Sequence, residues 1–146
     1  MSAICGFTNN RNKQISGTVI FKETKRGLQI KINMSGISQG LHGFHIHEFG
    51  DLSEGCGSLC SHFNPTNSVH GGRDSPDRHL GDLGNIIADN SGNVDMVIYD
   101  KYLTIEGKYG ILGRSVVIHS GEDDLGLGGL DELGNVIDEK LREESL

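Results

Sequence analysis

The sequence predicts an all-β protein, a Greek-key antiparallel β-sandwich or flattened barrel with long metal-binding loops. Three observations lead there. Apolar and polar residues alternate at period two through much of the first hundred positions, the pattern of half-buried strands. Glycine accounts for 22 of 146 residues, tryptophan is absent and aromatics make up 5%, a balance that suits short strands and many turns better than a helical bundle. Seven histidines are present, and six fall into a pattern with one aspartate that has the look of metal ligation.

Ala3 to Phe7 opens the chain as a short strand. Val19 and Phe21 alternate with Ile20, and Leu28, Ile30, Ile32 and Met34 are separated by Gln29, Lys31 and Asn33, so two antiparallel strands are expected. Gly40 to Phe49 reads as a strand with Phe44 and Ile46 on one face and His45 and His47 on the other. From Gly50 to about Arg78 the chain is rich in Gly, Ser, Asn, Asp and Pro with no lasting apolar period. A loop of that length in a compact domain is usually functional or disordered, and the embedded His62, His70 and His79 give a reason for order, because a cation can staple backbone that has no core of its own. Asp82 to Ala88, the turn Asp89-Asn90-Ser91-Gly92, and Val94, Met96 and Ile98 form a plausible hairpin. Leu103 to Gly107 and Gly113 to His119 add two strands, for seven or eight in all and no interior helix.

At this length one domain suffices, with about two thirds of the unfolded surface buried. The formal charge of −7 argues against nucleic acid or an anionic membrane as a partner, and an anionic substrate would need a local positive field. The start, Met1-Ser2-Ala3-Ile4-Cys5, has no basic, apolar leader pattern and no run of 18 apolar residues occurs, so a cytoplasmic protein is the expectation. Cys5, Cys56 and Cys60 are an odd number, which allows at most one internal bridge. Cys5 is expected to be a buried strand thiol.

The chemistry starts from His45-Ile46-His47. A two-residue step on a strand sends both imidazoles to one face, where two nitrogens make half of a metal site. His62, His70, His79, Asp82 and His119 follow, with successive gaps of 8, 9 and 3 residues from His62 through His70 and His79 to Asp82, unlike a zinc-finger loop. Three imidazoles and a carboxylate suit tetrahedral zinc. His45, His47, His119 and His62 suit a tetragonal nitrogen site, the preference of copper(II). Only His42 stands outside the pattern.

These residues carry a family resemblance. Leu41 to Asp51, His62-Phe63-Asn64-Pro65, His70-Gly71-Gly72, Arg78 to Asn85, Gly113 to His119 and Asp123-Asp124-Leu125-Gly126 with Gly128-Gly129 occur in order from about Ala3 to Gly129, and the chain resembles the copper/zinc superoxide dismutases. The resemblance implies copper held by His45, His47, His62 and His119, and zinc by His62, His70, His79 and Asp82, with His62 bridging the two metals and acting catalytically. It implies a role for Asp123 in accepting hydrogen bonds from His45 and His70. The implied reaction is the disproportionation of superoxide to dioxygen and hydrogen peroxide, with His62 taking and returning a proton.

The end of the chain departs from the family. A Gly-Asn-Ala-Gly-Ser-Arg-Leu-Ala-Cys-like segment running into an apolar last strand is expected, and Leu130 to Glu139 keeps only Gly134-Asn135. The chain therefore reads as residues 1–129, a superoxide dismutase-like β-barrel domain, and 130–146, a divergent charged tail. The active-site arginine has no aligned counterpart, and Arg142 substitutes only if the tail folds back. Cys56 matches the family's loop cysteine but its partner lies in the missing strand; Cys60 is the alternative, and free thiols at both are expected. A homodimer is placed in doubt by the same missing strand, and Val136 with Ile137 form a candidate stub for the sheet edge it leaves. Two functions stay open: a working superoxide dismutase, or an impaired homologue that binds metal or acts as a decoy for a copper chaperone.

Overall fold

The computed structural model describes residues 2–7, 15–48, 62–66, 68, 70–74 and 78–119. Seven strands run through them: β1 (Ser2–Phe7), β2 (Ser16–Thr24), β3 (Gly27–Ser35), β4 (Gly40–His47), β5 (Asp82–Ala88), β6 (Val94–Asp100) and β7 (Ser115–Ile118). They form two antiparallel sheets, one ordered β1-β2-β3-β6 and the other β5-β4-β7. The chain passes to the second sheet between β3 and β4 and returns between β5 and β6, and no helix occurs among the described residues. The all-β sandwich read from the sequence is the observed architecture.

Alternation explains the layers. Along β3, Leu28, Ile30, Ile32 and Met34 are buried while Lys31 and Asn33 face out, and their inward side chains meet Val19 and Phe21 of β2 and Phe44, Ile46, Leu83 and Ile86 of the second sheet in one core. The β2–β3 register sets Phe21 opposite Ile30 and Val19 opposite Ile32, so both strands send the same face inward. The turn between β5 and β6 is built by Asp89, whose carboxylate accepts from the amides of Ser91 and Asn93.

Strand β4 differs, since nearly all of it is buried on both faces. One side joins the core through Phe44 and Ile46; the other, carrying His45 and His47, is covered by loop. The pairing of β4 with β5 shifts register between Gly43 and His45, a bulge-like irregularity of the kind used to re-aim side chains beside a site.

Three expectations change. The strand proposed to reach Phe49 ends at His47, with Phe49 outside the described residues. Leu103 to Gly107 is not a strand: Thr104 makes one isolated bridge to Gly110, and the local chain is turned by short hydrogen bonds such as Gly110 N to Gly107 O, which leaves no extended edge to pair. Cys5 is half-buried rather than buried, because β1 is an outer strand with β2 as its only sheet neighbour among the described residues. A cavity of about 140 Å³ lies beside it, lined by residues that include Ala3, Phe21, Ile46 and Val116. Asp123, Cys56, Cys60, Arg142, the Val136-Ile137 stub and the boundary at residue 129 lie outside the described residues.

Candidate metal centre

Backbone hydrogen bonds bring the loop residues to β4. Phe63 N donates to Ile46 O at 2.8 Å, Ile46 N donates to Gly81 O at 2.9 Å, and Gly81 N donates to Phe63 O at 2.8 Å. This ring of three ties both ends of the segment between His62 and Asp82 to the residue separating His45 from His47, and His62 forms an isolated antiparallel bridge with His47. Gly81 is required by space: a Cβ there would run into the carbonyl oxygen of Ile46.

The imidazoles gather around His62. Its ring stacks on that of His45 with centroids 4.0 Å apart and lies 4.9 Å from His47, 5.3 Å from His70 and 5.3 Å from His79. His119, delivered just past β7, stands 4.9 Å from His45 and 6.2 Å from His47. Two donor sets emerge, His45, His62, His70 and Asp82 in one and His47, His62 and His119 in the other, each with its ligand atoms within 4.8 Å of one another. His62 is common to both. Strand periodicity positions His45 and His47, while His45 reaches further toward His70 and Asp82 than its partner does.

Asp82, fully buried at the start of β5, organises one side. Its Oδ1 lies 2.8 Å from His62 Nδ1 and 3.3 Å from His79 Nδ1, and its Oδ2 lies 2.9 Å from His70 Nδ1. The amides of Gly71 and His79 donate to Oδ2 at 3.0 and 2.9 Å. His62 Nδ1 and His79 Nδ1 are 3.2 Å apart. A tetrahedral zinc ion with bonds of about 2.0–2.1 Å sets its ligand atoms about 3.3–3.4 Å apart, so this side has zinc's ligand types at nearly zinc's spacing.

Electrostatics agree with ligation. Burial pushes His62 down to about 4, helped by His45 and His47 and opposed by Asp82, so its ring is neutral at neutral pH, as a metal ligand must be. Burial works against the Asp82 carboxylate, but the imidazoles of His62, His70 and His79 outweigh it and hold the group far below the usual range.

Two residues outside the expected set support the centre. Buried Arg78 donates through Nε to His79 O, through Nη2 to Leu80 O and through Nη1 to Arg73 O, and pairs with Asp100 Oδ2 of β6 at 2.7 Å. Buried His42 contacts the carbonyl oxygens of Ser38 and His119. The sequence carried a signal for His42, a polar ring on the strand face shared with Phe44 and Ile46, but its partners come from distant segments.

A histidine-rich site shared by two donor sets on a β-sandwich defines a two-metal centre. The sequence model of the copper/zinc superoxide dismutases matches residues 15–139, and the chain belongs to that family, whose members use copper and zinc. It is 49% identical over 116 residues to a Cu-Zn superoxide dismutase of Paramecium bursaria Chlorella virus 1, covering 79% of this chain and 62% of that protein. It is 45% identical over 127 residues to an extracellular Cu-Zn superoxide dismutase of Drosophila melanogaster, covering 86% and 70%, and 49% identical over 118 residues to Cu-Zn superoxide dismutase 4 of Dictyostelium discoideum, covering 79% and 78%. The match thus spans a little under two thirds of the viral relative's length.

Proposed function

We propose that this protein disproportionates superoxide, converting two superoxide ions and two protons into dioxygen and hydrogen peroxide. The carrying observation is that a single imidazole, His62, belongs to both donor sets. Copper is assigned to His45, His47, His62 and His119, and zinc to His62, His70, His79 and Asp82. When bound, copper supplies one-electron redox chemistry and zinc supplies charge without redox change.

The chain's own residues do the rest. His62 turns Nδ1 toward Asp82 and His79, which leaves Nε2 for the set containing His47 and His119. An imidazole that serves two cations must give up both ring protons, and only two nearby cations make that loss favourable; Nε2 is then the atom that takes a proton and hands it to the reduced product. Asp82 holds His62, His70 and His79 in orientation from one buried carboxylate. Burial raises the half-buried Cys5 thiol above its usual range.

The decoy alternative is not favoured: relatives named superoxide dismutase match at 45–49% identity, and the described residues gather into two donor sets that share His62, with His45 falling beside His70 and Asp82 and His79 in neither set. Superoxide consumption by the copper- and zinc-loaded protein, with an anion inhibitor as control, tests the reading. Activity well above that of the metal-free chain is expected; none at full copper occupancy overturns it.

A further inference from the structure

The two sheets meet at a seam between β5 and β6, which belong to different sheets although one turn joins them. Next to that turn the chain behaves as a hairpin: Asp89 N donates to Asn93 O at 2.9 Å and Gly92 N to Asp89 O at 3.1 Å. Further along, the ladder is not carried on, because β5 pairs with β4 and β6 with β3. A continuing ladder would offer the amide of Ile87 a backbone carbonyl. The amide donates to a sulfur instead, Met96 Sδ, at 3.2 Å.

The surroundings give that contact weight. Ile87 stands directly opposite Leu41 of β4, and the two apolar side chains are 56% and 42% exposed. An edge amide beside exposed apolar side chains is a template for unwanted strand pairing unless something covers it; here the cover is a thioether. Met96 lies opposite Ile32 of β3 and packs against the core while staying partly exposed. Met34 is 2% exposed, and Met1 lies outside the described residues. Of the two described methionines, Met96 is therefore the one that a small oxidant in solvent can reach.

We propose that Met96 is a modification site for hydrogen peroxide, and that its oxidation to the sulfoxide uncaps the Ile87 amide and loosens the β5–β6 seam. A sulfur lone pair attacks one peroxide oxygen, the O–O bond breaks and an S–O bond forms. The proton on the transferred oxygen passes to the departing hydroxide, which leaves as water, and the two electrons lost by sulfur are those gained by the peroxide. Hydrogen peroxide is the product of the reaction proposed above, and only the source of the oxidant rests on that reading. Oxidation turns a flexible apolar side chain into a polar one. The new oxygen does not fit between Sδ and an amide nitrogen 3.2 Å away, so the sulfur withdraws from Ile87 and the S–O dipole turns toward water. Cys5 is a slower target, because burial raises its thiol and the thiolate is the reactive form.

The test treats the metal-depleted full-length chain with hydrogen peroxide and follows each methionine by peptide mass spectrometry. Met96 is expected to gain one oxygen before Met34 does. Hydrogen exchange at the Ile87 amide then accelerates about fivefold, the effect of losing one hydrogen bond, with the central amides of β2 unchanged. Methionine sulfoxide reductases, one for each epimer, restore the original rate. Met96→Leu keeps an apolar side chain and removes the acceptor, so its Ile87 amide exchanges fast from the start and peroxide changes it no further. Oxidation of Met34 ahead of Met96, or an Ile87 exchange rate that is the same in oxidised and untreated protein, overturns the proposal. A Met96→Leu chain whose Ile87 amide responds to peroxide as the wild type does overturns it too. In a second arm the copper- and zinc-loaded protein is supplied with superoxide, with and without catalase. Met96 sulfoxide that forms only without catalase identifies the product as the oxidant, and superoxide consumption without sulfoxide overturns that source. Absence of superoxide consumption defeats the function proposed above, and the peroxide arm still decides the site.

Discussion

The two halves of the metal centre are built by different means. In the half proposed for copper, His45 and His47 stand two residues apart on β4, an element that core packing would fix with no ligand at all. In the half proposed for zinc, His70 and His79 come from a segment with no strand among its described residues, ordered by a buried carboxylate and a buried guanidinium. The first half inherits its geometry from a sheet; the second has to create it from polar contacts. Buried polar networks are stabilising when complete and costly when broken, so the loop-built half is expected to fail first when the site is perturbed.

His62→Ala probes the residue that joins the halves and has the largest expected effect. Superoxide consumption falls by about 10²–10⁴-fold, the range of a lost proton-transfer group, and both metals bind more weakly in titration. Loss of zinc alone contradicts the shared-ligand assignment.

Arg78→Met comes next. Removing one partner of the buried pair with Asp100 costs about 3–5 kcal/mol, read in denaturant unfolding, and three carbonyl oxygens of the loop lose their donor. Zinc affinity drops more than copper affinity; an equal drop means that the halves are not separable.

Acid acts on the same network in the metal-free protein. The His62 value near 4 lies below the ordinary histidine value of 6.5. As pH falls between those two values the unfolded chain takes up a proton that the folded chain refuses, and stability decreases by about 1.4 kcal/mol per pH unit from this group. The lowered Asp82 adds a stabilising contribution that is present above the ordinary carboxylate range and is lost as pH falls through and below it. Unfolding free energies measured at pH 7, 5.5 and 4.5 should therefore descend, and a flat profile refutes the burial of a neutral His62.

Gly81→Ala is the change sharpest in location. The added methyl group meets the Ile46 carbonyl oxygen, a backbone atom that cannot swing aside, so the cost is at least the about 1–3 kcal/mol of ordinary overpacking. Thermal unfolding shifts down, and faster zinc release with copper release unaltered would place the damage on the loop side of the junction.

Periodicity accounts for what was legible. The strands β2 to β6 follow from alternation, and so does the shared face of His45 and His47, since a pleated backbone turns every second side chain the same way. Leu103 to Gly107 failed because a brief apolar run carries no information about whether a neighbour is there to pair with it, and Thr104 finds only Gly110. His70, His79 and Asp82 were legible as ligand types in a long loop, and the family resemblance implied their metal, because no local period links them. His42 was set aside as the odd histidine; its partners Ser38 and His119 are 4 and 77 residues away.

The chain's residue order by itself determined the all-β class, the sheet faces and the inventory of imidazoles and carboxylate, because these follow from side-chain chemistry and from the two-residue repeat of a strand. Only the tertiary structure decided that His45 falls beside His70 and Asp82, that Gly81 leaves room for the Ile46 carbonyl, and that Arg78 and His42 bind backbone carbonyls around the centre. Those outcomes depend on hydrogen bonds between segments tens of residues apart, and such bonds exist only once the two sheets have closed over a common core.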